Sequence, residues 1–138
     1  MRDFDSDIFE QCIGNAKKSV MMHKHGAVLY KNGAVLGQGH NHMSEHMSHA
    51  WSCHAEIAAI MSCNKKDRQD LRDATLIVVR VGTDGGAKLS KPCSNCRRFI
   101  EKHGIRKVFY SAPVNSYKET PPISIASGAT WRRKTENV

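Results

Sequence analysis

Apolar residues recur every four positions near the start of the chain. Phe4, Ile8, Cys12 and Ala16 form one stripe, widened by Phe9, Ile13 and Val20. That period predicts a helix over Asp3 to His23, with Lys17 and Lys18 suited to its negative C-terminal end. The period then changes. Two short apolar runs, Gly26-Ala-Val-Leu-Tyr30 and Ala34-Val-Leu-Gly-Gln38, flank Asn32-Gly33. Asn-Gly between such runs signals a tight hairpin, because both central residues must adopt positive φ. His40 to Trp51 shows no period and reads as a loop. A second helix is expected from a Ser52 cap to about Cys63, with Asn64 as its stop. Leu76-Ile-Val-Val-Arg80 reads as a buried strand, and Thr83-Asp-Gly-Gly86 as a turn. Pro92 suits the first turn of a third helix, and Gly104 its left-handed end. Lys107 to Ser111 is another strand, and Ile123-Ser-Ile125 one last strand. Trp131-Arg-Arg-Lys134 reads as a loose tail. Alternating helices and strands of this kind argue for a layered α/β domain.

Length fits that picture. The chain has 138 residues, enough for one domain (1–138) with its own core and no disulfide staples. Residues 118–138 are expected to form a loosely packed C-terminal extension. No apolar run spans a bilayer, and the acidic N-terminal MRDFDSDIFE lacks the core of a secretory signal. The expected location is therefore cytoplasmic, with no membrane partner. Five cysteines are an awkward count for disulfide pairing, and two of them form Cys93-x-x-Cys96. In a reducing compartment that spacing is more often metal-binding or redox than structural. The formal charge of +8 favours an anionic ligand, a nucleotide or a nucleic-acid strand, although charge of this kind also serves solubility alone.

The chemistry concentrates at His54-Ala-Glu56 and Pro92-Cys93-Ser-Asn-Cys96, each at an expected helix start. Free N–H groups and the helix dipole stabilise thiolates there. Cysteines three apart share one helical face, so both sulfurs can reach one ion. His54, Cys93 and Cys96 make a three-ligand set. Zinc normally takes four ligands, so three leave a position open to water, which zinc acidifies toward neutral pH. Glu56 lies about 200° around the helix from His54. From the first turn it can lean over the open side and shuttle protons. Each cluster alone is a weak signal. A purely structural zinc with Cys53 as fourth ligand is the alternative, disfavoured because consecutive residues at a helix start rarely reach one ion.

Together the two clusters resemble the cytidine and deoxycytidylate deaminase superfamily, which includes the tRNA adenosine deaminases. The resemblance runs from Gly26 to Ser111. It takes in Gly26-Ala-Val28, Gly39-His-Asn41, His54-Ala-Glu-Ile57, Thr75-Leu-Ile-Val78, the Cys pair and Gly104-Ile-Arg-Lys-Val108. It implies a three-layer α-β-α fold, with a central mixed sheet of about five strands. It implies His54, Cys93 and Cys96 as ligands of one catalytic Zn2+ and Glu56 as the proton shuttle. Substrate contacts are implied at Asn41, at the Ala55 backbone and at Val28. For Asn41 the alternative is a turn residue supporting the hairpin exit. The stretch Val81 to Ser90 is longer than in typical tRNA deaminases and suggests a small β-excursion. Relatives usually pair, so a homo-oligomer is expected.

Five histidines, His25, His40, His42, His46 and His49, crowd the loop and its approach. They lack a clean ligand spacing, so a second structural metal is not expected and solvated imidazoles are. Trp51 is expected to seal the core beside the second helix. Arg97, Arg98 and Lys102 read as a solvated basic face, and Cys12 and Cys63 as small buried hydrophobes. The function these features imply is hydrolytic deamination of cytosine to uracil with ammonia release, on a free nucleotide or nucleoside such as dCMP. The alternatives are a polynucleotide deaminase, acting on tRNA adenosine or single-stranded DNA cytosine, and a zinc-stabilised binding protein of deaminase ancestry.

Overall fold

The structure is a computed structural model that describes residues 6–43, 52–83, 87–90, 92–112 and 124–127. Met47, His46, His49, Trp51, the turn at 84–86 and the Trp131-Arg-Arg-Lys134 segment lie outside the described residues.

Helix α1 (Ser6–Lys18) leads into strands β1 (Lys24–Lys31) and β2 (Ala34–His40). The turn between them holds Asn32 at φ 53° and Gly33 at φ 81°, as the Asn-Gly signal predicts. The register slips between Leu29 and Tyr30, which places a bulge in β2. Two short strands, β3 (His42–Met43) and β4 (Ser52–Cys53), pair with each other; β3, like the last residue of β2, falls inside the stretch His40 to Trp51 expected to be loop. Helix α2 (Ala55–Ser62) follows, then a one-turn helix α3 (Lys65–Arg68) that the pattern did not announce. Asn64 stops α2 as expected and also caps α3, accepting the Asp67 N–H at 2.7 Å. Strand β5 (Thr75–Val81), the two-residue β6 (Ala87–Lys88), helix α4 (Ser94–Lys102), β7 (Lys107–Ala112) and β8 (Ser124–Ser127) complete the order.

The main sheet runs β2-β1-β5-β7-β8, and β6 pairs with the end of β5 that β7 leaves uncovered. The β5–β7 pair is parallel and the others antiparallel, so the sheet is mixed as expected. The short β6 is the β-excursion, and β8 brings part of the C-terminal stretch into the sheet.

Side-chain alternation divides the core into two layers. Val28 and Tyr30 of β1 and Ile77, Val79 and Val81 of β5 pack with Ile8, Cys12 and Ala16 of α1. Ala27, Leu29, Leu76 and Val78 face the other way, onto Ala55, Ala59 and Ile60 of α2 and Ile100 of α4. The helices can approach because glycines face them. A β-carbon on Gly26 would run into the backbone of Cys12 and Ala16. Cys12 and Cys63 are buried as expected.

The first helix ends five residues earlier than the pattern predicts. Ser19 closes a turn onto Ala16, and the Lys24 ammonium donates to the Ser19 carbonyl at 2.6 Å. The chain must reverse there so that Gly26 can sit under α1. Val20, expected on the helix's apolar face, is 90% exposed as a result.

Candidate metal centre and active site

The two chemical clusters sit at the caps of α2 and α4. Ser52, expected to cap α2, lies in β4, and His54 occupies the N-cap instead with φ −76° and ψ 153°. Cys93 occupies the N-cap of α4 with φ −70° and ψ 170°. Neither cap side chain bonds its own helix. Extended caps with uncommitted side chains can therefore reach across to each other. His54 Nδ1 lies 3.0 Å from Cys96 Sγ and 3.8 Å from Cys93 Sγ.

One donor atom from each of His54, Cys93 and Cys96 lies within 4.8 Å of the others. Zinc bonds of about 2.0–2.3 Å in tetrahedral directions place donors about 3.5–3.8 Å apart. One nitrogen and two sulfurs at these separations fit zinc, with small adjustments. Cys53 is not a member of this group. Cys96 is fully buried and its thiol is pushed well above the usual thiol range, first by burial and then by Glu56. A cation there would displace that proton.

Glu56, two residues into α2, is only 4% exposed. Burial pushes its carboxyl up to about 7, against a smaller opposing effect of its own backbone N–H. A carboxyl poised near neutrality can both accept and release a proton. It lines a cavity of about 290 Å3 together with His54, Ala55, Cys93, Asn41 and Ser90, with Met21, Met22, His23 and His25 completing the wall.

The zinc-binding-region profile of the cytidine and deoxycytidylate deaminases matches residues 2–112. The chain belongs to this deaminase family. Solved structures agree on the fold. The dCMP deaminase of cyanophage S-TIM5, in complex with dCMP and dUMP, is 22% identical with a TM-score of 0.53, over 78% of this chain and 82% of that one. The cytidine deaminase of Burkholderia pseudomallei is 18% identical with a TM-score of 0.63, over 94% and 95%. A variant cytidine deaminase of Mycobacterium tuberculosis is 20% identical with a TM-score of 0.55, over 81% and 88%. No curated protein matches.

Within this family member the expected substrate residues separate. Asn41, 7% exposed, lines the cavity and also clamps the hairpin exit. Its Oδ1 accepts the His25 N–H at 3.0 Å, and its Nδ2 donates to the His23 carbonyl at 2.6 Å. Ala55 lines the cavity at the first turn of α2, where backbone N–H groups lack helical partners. Val28 does not line it. Its side chain is buried under α1, on the opposite face of the sheet. The pleat gives the site face to its neighbours at odd positions, and His25 is the β1 residue that reaches the cavity.

His25, read from sequence as solvated, is half-buried. Burial chiefly, with Arg80 and His54 adding to it, lowers its pKa to about 4, so the ring is neutral at neutral pH. Ser90 was also missed. Its hydroxyl donates to the Val78 carbonyl at 2.9 Å and accepts the Ser111 N–H at 2.7 Å. These bonds tie the segment leading into Cys93 to β5 and β7. Only spacing could have hinted at it, since Ser90 precedes the Cys pair by one short turn.

Proposed function

We propose that this chain is a zinc-dependent hydrolytic deaminase that converts a cytosine base to uracil with release of ammonia, acting on a free nucleotide or nucleoside such as dCMP. The observation that carries the reading is the buried Glu56 carboxyl in the same cavity as His54 and Cys93, two of the three members of the donor group that Cys96 completes. His54, Cys93 and Cys96 would hold the ion. Zinc bound there supplies Lewis acidity that eases loss of a proton from water.

In the overall change, oxygen from water joins C4 of the ring, the carbon–nitrogen bond breaks, and nitrogen leaves as ammonia. Glu56 takes one proton from the attacking water and hands it to the ring nitrogen, then carries the remaining proton of that added hydroxyl to the leaving amine. Its poise near pH 7 suits both directions of transfer. In this reading Asn41 would hold the sugar through its second amide hydrogen, and the Ala55 backbone would lie against the base. A single domain, a homo-oligomer and a reducing, cytoplasmic setting belong to the same reading. Five free thiols support that setting.

The test is ammonia release by the zinc-loaded protein across deoxycytidine, dCMP and short single strands. Glu56→Gln should keep its zinc and lose turnover. Full activity in that variant removes Glu56 from the mechanism. Turnover on a strand alone would move the substrate to a polynucleotide, the class the +8 charge also suits.

A further inference from the structure

Beside the cavity, on the same face of the sheet, stand two cations that deamination itself does not use, Arg80 and Lys88. In the sheet register His25 of β1 stands opposite Arg80 of β5, and Arg80 stands opposite Lys88 of β6. Directly opposed residues share a face. That face is the one Leu76 and Val78 present to α2 and α4, because Arg80 continues their alternation along β5. His25, Arg80 and Lys88 therefore form a row across three strands on the side of the sheet that holds the metal cluster.

Arg80 is half-buried, and its Nη2 donates to His23 Nδ1 at 2.7 Å. A guanidinium can only donate, so this bond makes His23 Nδ1 an acceptor and leaves its ring proton on Nε2. His23 and His25 both line the cavity. Two cations opposed across neighbouring strands repel each other. Among the described residues no carboxylate pairs with either: the ion pair found there is Arg72 with Asp70, on the surface. An arrangement that sets two cations side by side without a counter-charge, beside a fixed N–H donor, is suited to an anion.

Asn41 connects this row to the substrate's sugar. It bonds the backbone of both His23 and His25. A sugar held at Asn41 would therefore lie next to His23, the residue on which Arg80 is anchored. We infer that Arg80, anchored on His23 and flanked by Lys88, reads a phosphate monoester on the sugar, so that the substrate is a cytosine mononucleotide and not the nucleoside. This rests on the deaminase reading above and narrows it.

The experiment uses the zinc-loaded full chain, its Arg80→Gln and Arg80→Lys variants, and Lys88→Gln. Measured are kcat/KM on dCMP, deoxycytidine and a short DNA strand with one cytosine, and the rise in Tm with dUMP and with deoxyuridine. The parent should prefer dCMP to deoxycytidine, and Arg80→Gln should cut that preference about 10- to 100-fold, the effect of losing a hydrogen bond to a charged group. Arg80→Lys should restore part of it, and Lys88→Gln should produce a smaller loss. The Tm rise with dUMP should exceed that with deoxyuridine in the parent and fall to the same size in Arg80→Gln. Equal kcat/KM for dCMP and deoxycytidine in the parent, or an unchanged preference in Arg80→Gln, would overturn the phosphate seat while leaving deamination standing. Preference for the strand over dCMP would overturn the monoester assignment. A phosphate-dependent Tm rise lost in Arg80→Gln, without turnover of any cytosine compound, would support the seat and overturn the deaminase reading.

Discussion

Removing the charge at Glu56 should make the metal-free protein more stable at alkaline pH. The carboxyl is 4% exposed, and burial raises its pKa from an ordinary 4.5 to about 7. A group whose folded-state pKa is raised binds its proton more tightly in the native state. Its contribution to stability is full below pH 4.5 and is lost as the pH climbs through about 7. At roughly 1.4 kcal/mol per pH unit, the loss by pH 8 is about 3 kcal/mol. Glu56→Gln keeps the shape and the oxygen that faces the backbone N–H, but has no proton to lose. Urea unfolding in chelator and reductant, from pH 4.5 to 8, measures the effect. The variant should match the parent at the acid end and exceed it by about 3 kcal/mol at pH 8. His25 titrates in both proteins and cancels in the difference, and the Cys96 thiol, held chiefly by burial well above the usual thiol range, stays protonated over this pH span. A parent–variant difference that stays flat with pH would refute the claim that burial governs this carboxyl.

The remaining expectations concern the scaffold. Gly26→Ala forces a β-carbon into the backbone of α1 and should lose at least about 1–3 kcal/mol, whereas Gly14→Ala in α1 meets nothing within 4 Å and should gain about 0.5–1 kcal/mol; equal Tm values for the two would refute the close approach. Ser90→Ala removes the donor to Val78 and the acceptor for Ser111, so unfolding should become easier by about 1–3 kcal/mol, and an unchanged unfolding midpoint would count against the tie. His25, with its pKa lowered to about 4 by burial, stabilises the fold above its unfolded value near 6.5 and loses that contribution as pH falls toward 4. NMR titration of the metal-free protein should find its ring neutral at pH 5.5, and a midpoint near 6.5 would contradict the burial.

The hairpin, the β5 and β7 strands and both chemical clusters were legible because each has a local cause. Asn32-Gly33 dictates a turn whatever surrounds it, and β-branched runs bounded by turn residues make strands. The face of β1 was not legible. Gly26 to Tyr30 is apolar at every position, so alternation is silent about which side meets the site. Val28 looked as eligible as Ala27. What decides the matter is Gly26, whose missing side chain lets α1 lie against the strand. Once Gly26 is assigned to α1, the pleat sends Val28 with it and turns His25 toward the cavity. A glycine in a buried strand therefore carried the information that the hydrophobic pattern lacked.

The two helix starts raise a subtler point. Both were expected a residue or two upstream of where they fall, and that displacement matters to the chemistry. A cap at Ser52 would bury His54 within the first turn, its ring directed along the helix surface. With His54 itself at the cap, the backbone is extended and the ring is free to turn toward Cys96. Cys93 gains the same freedom at the start of α4, while Cys96, inside the helix, is held in the core. Two donors at extended caps and one held inside a helix can close on an ion without moving either helix. Capping would have satisfied orphan N–H groups and added stability. Leaving His54 and Cys93 out of that role makes both helix starts weaker as helices and available as ligands.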